Sequence, residues 1–400
     1  MVFLDAFSQT YLSKESTPFL HSLASEGICT SINTVFAFRG IETTMFTGLW
    51  PDAHGSWTEF KLAEAFKKTR KARIMQAIIK LLDKIPSDGL RAKARFFVER
   101  YLFKRMYKTL NLIPSEAIPY FESTQPRETI EAGSLGATTT IFDVFRKKGI
   151  PYVWIEPWIR GDKEVFDKAK KMIRKNGPNG FWYIKFSHLD HLGHKFGPDP
   201  SMFQNHLVKI DSYVRDVVNL AKKGRSDLSI LIVADHGMSR IIEKVNVMDE
   251  LGRLQSQIYK DYVVFVDSTI TRFWFFNERA MHEVSGMLNR QKYGHVLSLE
   301  EKKALHIPLF PQYGELVFVL DEGFVNHPSF FNKKSEAKGM HGYAYPKTPE
   351  SRPILIMHGK EMGKDFRRNG IEFVDIAHLI LSPFWPETIH SDNELSSYLK

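Results

Sequence analysis

A carboxylate and an imidazole four residues apart, in Asp190-His191-Leu192-Gly193-His194, can grip one ion from a single turn of helix. A second pair is contiguous in Asp235-His236-Gly237-Met238. Asp5 adds a third carboxylate, and Met340-His341-Gly342-Tyr343 adds a third imidazole beside a glycine. Three Asp and three His form a hard-to-borderline N/O donor set suited to zinc or manganese. Two divalent ions held a few Å apart polarise a phosphoryl group and stabilise the attacking and leaving oxygens of an in-line displacement. Taken singly, each piece has an ordinary alternative. An Asp-His pair at a strand end also serves as a hydrogen-bonded structural pair, and a lone histidine such as His341 is weaker evidence still.

These side chains need a frame. Val2-Phe3-Leu4 precedes Asp5, Trp182-Tyr183-Ile184-Lys185-Phe186 runs up to Asp190, and Ile230-Leu231-Ile232-Val233-Ala234 precedes Asp235. Such apolar runs without polar alternation suit strands covered on both faces, as in a parallel sheet flanked by helices. Thr17-Pro18, then Phe19, Leu20, Leu23 and Ala24, closed by Gly27, predicts a helix with Thr17 as its N-cap. Leu207, Ile210, Val214, Val217 and Ala221 recur at helical spacing between Met202 and Lys223. The expected class is α/β, with the three carboxylates at the carboxyl ends of strands, where open α/β sheets gather their sites.

The chain has 400 residues, 43% hydrophobic and 25% charged, which excludes a disordered chain and suggests two or three domains. Cys29 is the single cysteine, so a disulfide framework and a thiolate zinc cluster are excluded and a reducing, cytoplasmic compartment is expected. Neither a secretory leader nor a run of about 18 apolar residues is apparent, so the chain is expected to be soluble. The net charge of +9 favours an anionic partner. It is unevenly placed: residues 61–110 hold fifteen Lys and Arg against four acidic residues, leaving the remainder slightly negative. That insert carries Ile74, Ile78, Leu81 and Leu82, then Phe96, Phe97, Leu102 and Phe103 after a Pro86-Ser87-Asp88-Gly89 break. It reads as basic amphipathic helix that lies on an anionic membrane, roofs an anionic substrate, or is simply solvated. No nucleic-acid reader motif accompanies the charge. A smaller β-containing elaboration is expected at 251–335, from Val263–Val266, Phe273–Phe276 and Leu316–Leu320. There Trp274 reads as core, and nothing decides where Arg272 reaches.

With these pieces together, the chain resembles the alkaline phosphatase superfamily, in particular its type I phosphodiesterase/nucleotide pyrophosphatase branch. The likeness runs from Asp5 through Thr17–Gly27, Thr47-Gly48-Leu49-Trp50-Pro51 with His54-Gly55, Asp190–His194 with Gly197-Pro198, and Asp235–Met238, to His341-Gly342-Tyr343. It implies a three-layer α/β/α core from 1–60, 111–250 and 336–400, with a mostly parallel central sheet, the basic helical insert at 61–110 and the elaboration at 251–335. It also implies two divalent ions, zinc or manganese, one held by Asp190, His194 and His341 and the other by Asp5, Asp235 and His236. The implied activity is a metal-dependent phosphodiesterase or nucleotide pyrophosphatase acting on a small phosphorylated substrate. Alternatives are a phosphotransferase or mutase, or a catalytically silent member that binds metal or anion and docks through its basic insert.

One position departs from the branch. A threonine that becomes transiently phosphorylated is expected about nine residues before Thr47-Gly48, and Phe38 stands there. Covalent transfer needs an activated hydroxyl. Thr43 or Thr44 could serve after a shift in register, a water activated by the metals could attack, or the site could bind without turnover. Arg39 and Gly40, at the start of the same helix, are candidates to cradle the substrate anion. His188 and His191 flank Asp190 and read as loop histidines or as supports of a ligand.

Overall fold

The structure is a computed structural model. It describes residues 1–36, 40–63, 70–98, 101, 114–124, 133, 135–136, 138–156, 161–225, 227–330, 336–359, 371–385 and 395.

The apolar runs become adjacent strands. The central sheet has the order Ile28–Ser31, Ile354–His358, Ile230–Val233, Val2–Leu4, Phe181–Phe186, Tyr152–Ile155. Val2 pairs in parallel with Ile184 on one side and Ile232 on the other, and Tyr152–Ile155 continues the parallel pairing. Ile354–His358 runs antiparallel to both of its neighbours. Val2, Ile184 and Ile232 face one core, with helices Pro18–Glu26, Asp162–Asn176 and Gln204–Gly224; Phe3, Tyr183 and Val233 face the other, with helices Ile41–Thr47, Ile141–Lys148 and Ile376–Leu381. Three layers follow because each strand is apolar on both faces.

The helix predicted from Thr17 forms at Pro18–Glu26, with a different cap. The Thr17 hydroxyl donates to the carbonyl of Tyr11 instead. The free N–H groups of Phe19 and Leu20 donate to the Asp211 carboxylate at 3.1 and 2.8 Å, so the Gln204–Gly224 helix caps its neighbour in space. That helix buries Leu207, Ile210, Val214, Val217 and Ala221, the stripe read from the periodicity.

A second, antiparallel sheet has the order Tyr262–Val266, Ile270–Phe275, Leu316–Leu320, Gly294–Val296. Trp274 is wholly buried, its indole N–H donating to Pro311 O. Arg272 is buried too: it donates to Phe60 O at 2.8 Å, and its guanidinium lies 5.0–5.8 Å from the ring centres of Phe265, Trp274 and Trp57. Burial lowers its pKa to about 10, against the pull of Asp267.

The basic insert forms helices Arg70–Leu82 and Asp88–Phe97, the second capped by the Ser87 hydroxyl at the Pro86–Gly89 break. Its base is an antiparallel ladder between Phe60–Leu62 and Phe121–Ser123. The buried stripe is Met75 and Ile79 rather than Ile74 and Leu81, because the first helix packs on Ala117 and Ile118 and joins the core of the second sheet. Ile74, Leu81, Leu90 and Phe97 are exposed, while Leu102 and Phe103 lie outside the described residues. Among the described residues, no helix is long and apolar enough to cross a membrane.

Candidate active site

Asp5 follows the Val2–Leu4 strand, and its N–H continues the parallel ladder to Phe186 O. Ala6 then turns with φ +61°, a left-handed conformation that an L-residue adopts at some cost. The turn aims the Ala6 N–H at Asp235 Oδ1, 3.2 Å away, and His236 N donates to the same oxygen at 3.0 Å. Asp235 Oδ2 is thereby left facing His236 Nε2 at 3.5 Å, and Asp5 Oδ1 is 3.6 Å from that nitrogen.

Asp190 and His194 share one face of the helix His188–Phe196, Asp190 Oδ1 lying 3.3 Å from His194 Nε2. His341 arrives from the far end of the chain, its Nε2 3.6 Å from the same oxygen. Its ring stacks on His236, with centroids 3.6 Å apart and planes 5° from parallel. The donor atoms of Asp190, His194 and His341 lie within 4.8 Å of one another, and so do those of Asp5, Asp190 and His236; Asp235, expected with Asp5 and His236 as a second triad, meets that group through His236. Asp190 thus stands at the seam between the triads.

These donors fit divalent cations. Tetrahedral bonds of about 2.0–2.2 Å put neighbouring donor atoms about 3.3–3.6 Å apart, the separations seen here. The imidazole tautomers agree. A carbonyl can only accept, so His194 donates its Nδ1–H to Gly339 O at 2.9 Å and His236 donates its own to Gly237 O at 2.8 Å. Each Nε2 then carries the lone pair that faces its triad. Asp190 Oδ1 is buried with no hydrogen-bond partner among the described residues. Burial, and next the Asp235 carboxylate, push the Asp5 carboxyl well above its usual range. Burial, then His236 and His194, push the His341 imidazole well below its own. A carboxyl short of positive charge at Asp5, beside an imidazole at His341 that resists protonation, is what a metal ion would satisfy.

The supports are as constrained as the candidate ligands. A Cβ on Gly237 would meet Glu350 O at 2.1 Å, so the residue after His236 has to be glycine for the loop near Ser351 to pack against it. Gly237→Ala is expected to move the carbonyl that orients His236 and to weaken zinc binding by about ten- to a hundred-fold. Competition against a chromophoric chelator measures this, and wild-type affinity would refute it.

Thr43 and Thr44 are fully buried in the helix Ile41–Thr47. Ser56 N donates to His54 Nδ1, so His54 Nε2 carries the proton and donates to Thr44 Oγ1 at 2.9 Å. Burial lowers the His54 pKa to about 4, yet its lone pair faces Ser56 and not Thr44. Thr47 donates to the Thr43 carbonyl. Gly40 caps this helix at φ +84°, where a Cβ would meet Ser56 O at 1.9 Å. Phe38 and Arg39 lie outside the described residues. His188 and His191 join neither triad.

Two features were missed in the sequence. Thr34 lines the cavity walled by His236 and His341, its hydroxyl out of solvent and without a hydrogen-bond partner among the described residues. Lys185, passed over as one residue of an apolar strand, reaches Glu42 Oε1 at 3.0 Å and lies 3.8 Å from Asp5 Oδ2. Tyr183 donates to the same Glu42 oxygen at 3.1 Å. The available signal was a lone cation in an otherwise apolar central strand.

Known proteins resemble this chain in sequence and fold. The profile of a family described as type I phosphodiesterase / nucleotide pyrophosphatase matches residues 1–344. Human bis(5'-adenosyl)-triphosphatase ENPP4 is 24% identical over 274 residues, 66% of this chain and 57% of that protein, so this chain spans little more than half the length of that relative. Human ectonucleotide pyrophosphatase/phosphodiesterase family member 5 is 21% identical over 394 residues, 95% of this chain and 72% of that one. The solved structure of the murine ectonucleotide pyrophosphatase/phosphodiesterase 5, an inactive form in complex with AMP, superposes with a TM-score of 0.67 at 17% identity, covering 100% of this chain and 98% of that one. With a matching profile across most of its length and the α/β fold of these relatives, the chain belongs to the type I phosphodiesterase/nucleotide pyrophosphatase family of the alkaline phosphatase superfamily.

Proposed function

We propose that this chain is a metal-dependent hydrolase of phosphodiester or phosphoanhydride bonds in a small nucleotide-like substrate. The observation that carries the reading is the pair of adjacent Asp/His triads with donor separations of 3.3–3.6 Å. Asp190, His194 and His341 would hold one divalent ion, and Asp5, Asp235 and His236 the other; zinc suits the donor set best, and manganese is the second choice. Bound there, the ions would supply Lewis-acid polarisation of the phosphoryl group and activation of the attacking oxygen. The chain's own work is positional. Gly339 O and Gly237 O hold two imidazoles in the ligating tautomer, and the N–H groups of Ala6 and His236 orient Asp235. A nucleotide substrate accords with the adenosine phosphates in the names of the relatives. The test is metal analysis of chelator-free protein followed by assay on bis-p-nitrophenyl phosphate. Absence of a stoichiometric divalent ion overturns the reading, and metal binding without turnover replaces the hydrolase by a silent binding protein.

The basic insert has a role of its own in this proposal, docking the chain to an anionic membrane from the cytoplasmic side. Ile74, Leu81, Leu90 and Phe97 are exposed on helices that also carry Lys80, Arg91 and Lys93, the combination an interfacial helix needs. The chain is expected to sediment with vesicles containing phosphatidylglycerol, and to be released by high salt or by serine at Leu81, Leu90 and Phe97. Equal binding to neutral vesicles, or none to either, counts against it.

A further inference from the structure

We propose that Lys185 is a phosphoryl-binding residue: an ammonium fixed beside the two triads that takes a non-bridging oxygen of the substrate's phosphate. The inference rests on the phosphoesterase reading of those triads and adds a residue to the site. Lys185 is the only charged residue in the strand Phe181–Phe186 and stands opposite Phe3, at the sheet edge where Asp5 emerges. A charge in a central strand carries a desolvation cost that an apolar neighbour would avoid. Glu42 secures the ammonium at 3.0 Å, and the Tyr183 hydroxyl steadies Glu42 at 3.1 Å. The side chain is about 20% exposed and places its ammonium 3.8 Å from Asp5 Oδ2, beside the candidate ligands.

The charge balance gives this ammonium a purpose. Asp5, Asp190, Asp235 and Glu42 supply four negative charges around the site, which two divalent ions would neutralise. Lys185 then leaves one positive charge in excess, matched to the single negative charge of a phosphodiester. Its ammonium donates to Glu42 Oε1 at 3.0 Å and stands 3.8 Å from Asp5 Oδ2, so Lys185 is placed to act as a donor.

The test uses the full metal-loaded chain, with inorganic phosphate as the calorimetric probe and metal content read by plasma mass spectrometry. Lys185→Met is expected to weaken phosphate binding at least about ten-fold while both ions remain, and Lys185→Arg to stay within about three-fold of wild type. Glu42→Gln releases the ammonium without removing it, should weaken phosphate binding less, and keeps the test open if the methionine variant does not fold. Unchanged phosphate affinity in metal-loaded Lys185→Met overturns the proposal. So does loss of an ion from that variant, which would make Lys185 only a support for Asp5. An unaltered chain that binds no metal, or metal but no phosphate, overturns the phosphoesterase reading itself, and this inference with it.

Discussion

Replacing Asp235 by alanine is expected to lower kcat/KM on bis-p-nitrophenyl phosphate by about a thousand-fold or more, with the circular dichroism spectrum retained. The carboxylate does two things that no neighbour can replace. Its Oδ1 accepts from Ala6 N and His236 N, tying the ends of two parallel strands together, and its Oδ2 faces the His236 nitrogen that would share the ion. Truncation leaves two N–H groups without their acceptor, at roughly 1–3 kcal/mol each, and opens the second triad. Lewis-acid stabilisation of a phosphoryl transition state is worth several kcal/mol, so loss of one ion alone accounts for most of the expected drop. The checks are steady-state rates and metal content on the same preparation, and activity that survives the substitution would sink the hydrolase reading. Asp190→Ala should be at least as severe, because that carboxylate stands at the seam of both triads.

Stripping the metal with a chelator is expected to abolish activity and lower Tm, and zinc should restore both. At a free zinc concentration a thousand times Kd, binding only to the folded chain stabilises it by about 4 kcal/mol. The pH dependence follows from the two shifted groups. The folded pKa of Asp5 is raised, so without metal this group destabilises the fold as pH climbs from the ordinary carboxylate range through the raised value. His341 is depressed, so its folded form is already neutral below the usual histidine pKa and offers metal little proton competition there. A cation bound to the ionised carboxylate removes the Asp5 penalty and competes with protons mainly at that residue. The rise in Tm produced by zinc should therefore grow with pH from mildly acidic to mildly alkaline conditions. Differential scanning calorimetry over a pH series measures it, and a rise that shrinks with pH would contradict the metal assignment.

Much of this was legible in residue order because it depends on local pattern. The strands at Val2, Phe181 and Ile230 could be read since a fully buried strand must be apolar along its length, and Asp5 and Asp235 could be placed because each directly follows such a run. Asp190 and His194 lie on one helix turn, a spacing that needs no tertiary knowledge. Which apolar residues of the insert's first helix are covered is decided by tertiary packing: Met75 and Ile79 are buried and Ile74 and Leu81 exposed because of where Ala117 and Ile118 lie, nearly forty residues away. The capping of Pro18–Glu26 by Asp211 was invisible for the same reason.

By itself, then, the sequence named the candidate donors and their order along the chain and determined the class of fold, since periodicity and spacing are properties of neighbouring residues. Only the tertiary structure decided that His341 stacks on His236, that Asp190 stands between two triads, and that Lys185 and Glu42 face each other beside Asp5. Those relations join residues far apart in the chain through the register of parallel strands. A shift of one residue in the strand Phe181–Phe186 would turn Lys185 to the opposite face of the sheet, away from Glu42.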